Sequence, residues 1–284
     1  MKKFKIISDS THDLSPELVK EADVDIVPSN VLIGDETYLD YFEINDVLLY
    51  AKMKEKGVFP KTSAGTPAYF LKAFEKAKAE GYKEIIVITI GNSFSATQKS
   101  GMIAAEMIEG VKVRFVDSYS LSSGSGLLVM RAHDLRKEGK SVDEVADYLQ
   151  NLAPRVRAQF IVDNLQMLNA GGRVTGIKYF IGRILRAHPF LQVNDAKLEV
   201  VDTPKGKSER ALDKMIEVFE TEFAAGLESP RVFITHTHGG SRIDYIKERL
   251  LKLIPEENIY VTEAGAVISS HCGAGTIGIL YIRK

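Results

Sequence analysis

The chain lacks several features that would have decided its class at once. It has one cysteine, Cys272, among 284 residues, which excludes an internal disulfide and any metal site built on a cysteine cluster. The formal net charge is only -1, so no global excess of positive charge points to nucleic acid or to an anionic membrane surface. No apolar run approaches the roughly 20 residues of a membrane span. The amino-terminal MKKFKIISDST has too short an apolar stretch for a signal peptide, and a cytoplasmic location is expected. There is no Walker-type phosphate loop. Gly124-Ser125-Gly126 follows a strand pattern, but position 129 is valine where a dinucleotide fingerprint requires a third glycine. Internal repeats and low-complexity segments are also missing.

What is present is an ordinary globular composition, 45% hydrophobic and 26% charged, long enough for two domains. The reading is organised by Ile85 to Ser100, IIVITIGNSFSATQKS. Its first six residues are β-branched and apolar, the pattern of a strand buried on both faces. Gly91-Asn92 then breaks the run, and Ser93, Ser95, Thr97 and Ser100 lead into a helical pattern. A strand ending in glycine and small hydroxyls before a helix offers free N–H groups and the positive end of a helix dipole, which suits a small anion. The same residues also suit a plain helix cap.

Two other strand patterns, Lys5–Ser8 and Lys112–Val116, run into Asp9-Ser10-Thr11 and Asp117-Ser118. Polar residues gathered at strand carboxyl ends mark ligand sites in open α/β sheets. Further elements expected are a strand over Asp25–Leu32, a polar connection over Glu36–Glu43, and a helix over Ile44–Lys56 closed by Gly57. Lys61–Gly65 reads as a small polar loop. Helices are expected over Thr66–Gly81, Gly124–Lys137 and, behind a Ser141–Glu144 capping box, up to about Leu152. The break at Pro154 sets two domains, 1–155 and 156–284. The second half carries a strand at Ala158–Val162 and a short helix stopped by Gly171-Gly172-Arg173. A helix over Ile177–Ala187 follows, then a hairpin around Asn194–Ala196. A long amphipathic helix over Ser208–Phe223 precedes a strand, helix and strand ending at Thr262, and a closing strand at Thr276–Ile282.

Candidate chemistry remains open on the residues alone. His236 and His238 form an H-x-H pair at a strand end without a further ligand set, and His12, His133 and His188 form no cluster. Ser95 with His271 is a nucleophile and base pairing without a G-x-S-x-G elbow. Arg173, on a turn, and Arg210, at a helix start, are each suited to hold a carboxylate or phosphate. Ser269–Gly275 is a small-residue stretch centred on His271, which suits either close backbone approach to a ligand or a turn with a packed histidine.

Six fragments in order then coincide with one family. They are SDST at Ser8–Thr11, KTSAGTP at Lys61–Pro67, SFSATQKS at Ser93–Ser100, VDS at Val116–Ser118, GGRVTG at Gly171–Gly176 and SSHCGAGTIG at Ser269–Gly278. The chain resembles the DegV family, bacterial fatty-acid-binding proteins that include the acyl-carrying subunits of fatty acid kinase. The resemblance implies an α/β fold of two α/β domains with a lipid-binding tunnel between them. It implies a long-chain fatty acid such as palmitate, stearate or oleate as bound ligand, with no cofactor and no metal. The carboxylate-holding residues fall on Thr62 and Ser95, with Ser93 as the fallback, and on Arg173 and His271; Arg210 matches a basic segment loosely. A fatty acid kinase catalytic subunit is the implied partner and phospholipid synthesis the implied setting. Transient membrane contact is compatible with that setting, and nucleic acid is not a partner. On this reading the protein is a lipid carrier, not an enzyme; the alternative is a serine hydrolase or acyl transferase using Ser95 and His271. Ala64-Gly65, Ala96, His188-Pro189 and the weakly basic Pro204–Ser208 depart from the family pattern, the last two on the side where a kinase would dock.

Overall fold

The structure, a computed structural model, describes residues 3–163, 165–174 and 188–284. The chain opens with β1 (Lys5–Asp9), a 3-10 turn over Ser10–His12, and α1 (Pro16–Glu21). Ser15 caps α1 by accepting from the Leu18 N–H, and Pro16 takes the first helical position, where it has no hydrogen bond to lose. β2 (Val24–Val27), β3 (Asn30–Ile33) and β4 (Glu36–Leu39) follow. Then come α2 (Asp46–Lys56), β5 (Lys61–Ser63), α3 (Pro67–Ala79), β6 (Glu84–Thr89), α4 (Thr97–Ala105) and β7 (Lys112–Asp117).

Three local expectations are corrected here. Asp25–Leu32 is not one strand, because Pro28, with no N–H to give a ladder, separates β2 from β3, and the two join different sheets. Lys61–Gly65 and Glu36–Glu43 are not plain loops. Each contains a short strand, and β3 pairs antiparallel with both β4 and β5, setting Val31 opposite Thr62. Strands of three and four residues are too short to show alternation in sequence.

β2-β1-β6-β7 form an all-parallel sheet. β1 is buried along its whole length and β6 nearly so, as both-face coverage requires of a parallel sheet. The chain continues through α5 (Ser123–Lys137) and α6 (Val142–Leu152), the latter opened by the Ser141–Glu144 capping box. β8 (Val156–Ile161) starts the second, six-stranded sheet. It is followed by α7 (Gln166–Gly171), the hairpin β9 (Phe190–Asn194) and β10 (Lys197–Asp202), and α8 (Glu209–Ala225). β11 (Val232–His236), α9 (Ser241–Leu250), β12 (Ile259–Glu263), α10 (Ala266–Cys272) and β13 (Ile277–Ile282) complete the chain. The order is β10-β9-β8-β13-β11-β12, and only β11 and β12 pair in parallel. The architecture is mixed α/β. The expected helix at Ile177–Ala187 lies outside the described residues.

α5 is the element that joins the two sheets. It packs on β1 and β6 of the first and on β8 and β13 of the second. Burial between the sheets requires consecutive apolar residues in the middle of the helix, and Leu127, Leu128, Val129, Met130 and Ala132 supply them, while Arg131, Asp134, Arg136 and Lys137 reach solvent. Its glycine-rich start is a matter of close approach. A Cβ on Gly126 would lie 2.5 Å from the His12 carbonyl oxygen, and one on Gly124 would meet the Ser120 side chain. The largest hydrophobic core runs from Phe4 and Ile6 through α5 to Phe160, Leu280 and Ile282.

Leu128→Ala removes a side chain that is fully buried in this shared core and should cost about 2–5 kcal/mol. Urea denaturation followed by circular dichroism should show one transition moved to lower midpoint. Two separated transitions would mean that the sheets hold independent cores.

Candidate functional site

The loop after β6 is shaped by the aspartates that end the neighbouring strands. Asp9 Oδ2 accepts from the Ile90 N–H at 2.8 Å, and Asp117 Oδ1 accepts from the Asn92 N–H at 3.1 Å and the Tyr119 N–H at 3.0 Å. The polar strand ends therefore serve first as ties that fix the Ile90–Ser95 loop. This loop, β5, the segment after α7, and α10 together surround a cavity of about 70 Å³. Thr62, Ser95, Arg173 and His271 all line it, beside Thr11, Ser29, Ile90, Phe94, Leu121, Leu168, Leu198, Val267, Ile268 and Cys272. Both halves of the chain contribute. A smaller space of about 20 Å³ shares Leu121, Ile268 and Cys272 with it and reaches Phe160 and Leu280 in the interior.

The first part of the stretch around His271 is helical: α10 runs over Ala266–Cys272, and His271 sits in its last turn. The imidazole Nε2 lies 2.9 Å from Thr62 Oγ1, a hydrogen bond between residues 209 positions apart in sequence. The other ring nitrogen, Nδ1, is buried without a hydrogen-bond partner among the described residues. Burial, reinforced by the nearby Arg173 guanidinium, pushes the imidazole down to about 4, so the ring is neutral at neutral pH. Arg173 Nη1 donates to the Gly171 carbonyl at 2.5 Å. Gly171 itself abuts the imidazole, since a Cβ there would lie 2.1 Å from Nδ1. The G-G-R sequence thus combines a glycine that admits the ring with an arginine that charges its surroundings.

Ser95 Oγ is 2.8 Å from Thr97 Oγ1 at the start of α4. Four hydroxyl, imidazole and guanidinium groups so placed, with aliphatic walls beyond, can hold an anionic head and an apolar body at once.

Across residues 3–284 the chain matches a family described as an uncharacterised protein, DegV family. The chain belongs to the DegV family. It is 31% identical over 285 residues to a DegV domain-containing protein of Clostridium acetobutylicum, with 100% of both chains covered. Its fold is similar to that of a fatty-acid-binding DegV family protein from Thermus thermophilus, at TM-score 0.91, 28% identity and 100% coverage of each chain. It is also similar in fold to the Streptococcus pneumoniae fatty acid kinase B3 protein loaded with linoleic acid, at TM-score 0.83, 20% identity and 100% coverage of each chain.

Of the other candidates in this DegV chain, Ser93 and Arg210 lie away from the cavity. Ser93 is exposed and Arg210, at the start of α8, donates to the Lys205 carbonyl at 3.3 Å; neither is among the described lining residues of the cavity. His236 Nδ1 accepts from the Gly239 N–H at 3.4 Å, and His238 faces Asp46 at 3.4 Å. Cys272 is buried, and burial raises its thiol to about 12. Among the described residues no helix is long and apolar enough to cross a membrane. The sequence reading placed Thr11 only at a strand end of the ligand edge and Gly171 only in the turn before Arg173, and it did not single out Ser29. A signal for Gly171 existed in the doubled glycine, but only the fold shows that His271 occupies the space beside it.

The depressed His271 value has a definite sign. The unfolded chain binds this proton at the ordinary 6.5 and the folded chain only near 4, so stability from this group is lost as pH falls through that window. NMR titration of the imidazole should give a midpoint near 4, and the stability difference between wild type and His271→Gln should grow from pH 4 to 6.5. Gly171→Ala should displace the ring and move the midpoint toward 6.5. An unmoved midpoint would contradict the contact.

Proposed function

We propose that this protein binds a long-chain fatty acid, with the carboxylate held at Thr62 and Ser95 and the acyl chain directed between the two sheets, and presents it to a fatty acid kinase. The observation that carries this reading is the convergence of Thr62, Ser95, Arg173 and His271 on one cavity whose remaining walls are largely apolar. The fatty-acid binding of the Thermus protein and the linoleic acid loaded in the Streptococcus protein support it by likeness. The strand membership of the sheets supports 1–155 and 156–284 as two α/β domains whose boundary the ligand would follow.

The energetics favour such a ligand. Each buried CH₂ contributes about 0.8 kcal/mol, so a tail of about sixteen carbons has ample driving force. The head must keep its hydrogen bonds to avoid the cost of a buried charge, and the Thr62 and Ser95 hydroxyls are donors suited to that role. Arg173 and His271 would stabilise the carboxylate or an acyl phosphate made from it. The cavity of about 70 Å³ is small for such a ligand, because pockets for drug-sized molecules run about 300–1,000 Å³. Loading would therefore spread its walls and join it to the smaller interior space beyond Leu121 and Ile268.

The geometry gives less support to a hydrolase. His271 is hydrogen-bonded to Thr62 rather than Ser95, and no acid orients its Nδ1. A kinase partner would also account for a chain with no phosphate loop of its own.

Denaturing the purified protein and analysing an organic extract by mass spectrometry should yield a long-chain fatty acid in stoichiometric amount. An empty extract together with no uptake of palmitate or oleate would overturn the reading. Thr62→Ala combined with Ser95→Ala should weaken palmitate binding by about tenfold or more, the scale of losing hydrogen bonds to a charged group. The protein alone should not turn over esters or acyl phosphates. Turnover abolished by Ser95→Ala would establish the enzyme instead.

A further inference from the structure

α10 brings Val267, Ile268, His271 and Cys272 to the cavity, yet it has no capping side chain of its own. Its N-terminal residue is Gly265, and the orphan amides there are taken by carboxylates from the far end of the chain. Asp13 Oδ1 accepts from the Gly265 N–H at 2.8 Å across 252 positions of sequence. Asp40 Oδ1 accepts from the Val267 N–H at 3.3 Å across 227 positions. Both converge on one spot, since a Cβ on Gly265 would lie 3.3 Å from Asp40 Oδ1 and 3.4 Å from Asp13 Oδ1. Each acid is itself held. Ser122 donates to Asp13 Oδ2, and Ser10 donates to Asp40 Oδ2 at 2.7 Å. Ser10 Oγ in turn accepts from the Ser29 N–H at 3.1 Å, and Ser29 lines the cavity.

We propose that Asp40 and Asp13 are positioning residues of the ligand site: as caps supplied from the first half of the chain, they fix α10 and thereby set His271 against Thr62. The proposal rests on the fatty-acid reading for its ligand, but not for its geometry. Two carboxylates placed together in a buried site are costly, and burial raises both, Asp40 to about 6. The groups facing them are Asp9, itself raised by burial, and His12, pushed down to about 4 by burial and therefore neutral. Tyr41, beside Asp40, and Tyr50, whose hydroxyl donates to the Ser269 carbonyl at 3.4 Å from α2, bring no positive charge. What compensates the acids is the amide end of α10, where negative charge is favoured, together with the serine hydroxyls. The clamp therefore depends on α10 being docked, and α10 depends on the clamp. Displacing the helix by one turn of a loop would separate His271 from Thr62.

The test compares Asp40→Ala with Asp40→Asn, which keeps an oxygen for the Val267 N–H. Asp40→Ala should weaken palmitate binding about tenfold, the scale of a lost hydrogen bond to a charged acceptor, and Asp40→Asn should recover most of it. In a His271→Gln background Asp40→Ala should have no further effect on affinity, because it acts through the imidazole. An equal loss in both backgrounds would overturn the proposal and leave Asp40 a general structural residue. In ligand-free protein, Asp40→Ala should already shift the His271 ring resonances, Asp13→Ala should do the same, and Asp40→Asn should shift them less. Unchanged resonances in the alanine variants would overturn the proposal, and where Asp40→Ala does not fold Asp13→Ala decides it. Since this arm uses no fatty acid, a wild type that bound no palmitate would remove the fatty-acid reading without deciding the clamp.

Discussion

The structure depends on the burial of α5 between two sheets. The first half of α5, through Ala132, is buried almost all round, and it is covered by β1 and β6 on one side and β8 and β13 on the other. The close approach of its start to the Ser10–His12 turn brings that turn, with Asp9 and Asp13 on either side, against the second half of the chain. Without Gly126 the approach would fail, because any side chain there would strike the His12 carbonyl. The cavity is thus a consequence of core packing. Loops at the carboxyl ends of β1 and β6 meet α7 and α10 where α5 holds the two sheets together.

Most of the regular elements were legible in the sequence because they carry their own signals. The β-branched run of β6, the Ser15-Pro16 start of α1 and the capping box of α6 are local, and each acts within a few residues. The hairpin of β9 and β10 was also legible. Asp195 and Ala196 both take positive φ, at 46° and 57°, as its tight turn requires.

The parts that were not legible have their causes far away in sequence. α10 is seven residues long, rich in small side chains, and capped by Asp13 and Asp40; isolated, such a helix is too short to be stable. β5 gains its strand form from pairing with β3. Of the candidate residues, Thr62 was reached only through the ordered motifs, whereas Ser95, Arg173 and His271 already stood out by residue type and local context. Nothing in spacing could show that Thr62 and His271 touch, or that Ser95 pairs with Thr97 instead of a base. The aspartates at the strand ends were seen as marking a ligand edge, whereas their oxygens are occupied by the backbone of the loops that form it.

The chemistry of the cavity wall has a consequence for anything reactive placed inside. The thiol of Cys272 faces this space, but burial raises it to about 12, so at neutral pH almost none of it is the nucleophilic thiolate. Among the described residues the Ser95 hydroxyl is bonded to the Thr97 hydroxyl rather than to a base, and His271 Nδ1 meets no acid partner. A mixed anhydride of a fatty acid and phosphate is an acylating agent, and a wall with an activated nucleophile would capture the acyl group as a dead-end ester or thioester. Neither Cys272 nor Ser95 is activated in that way, so among the described residues such a capture would fall to Thr62, whose hydroxyl lies 2.9 Å from the neutral His271 imidazole.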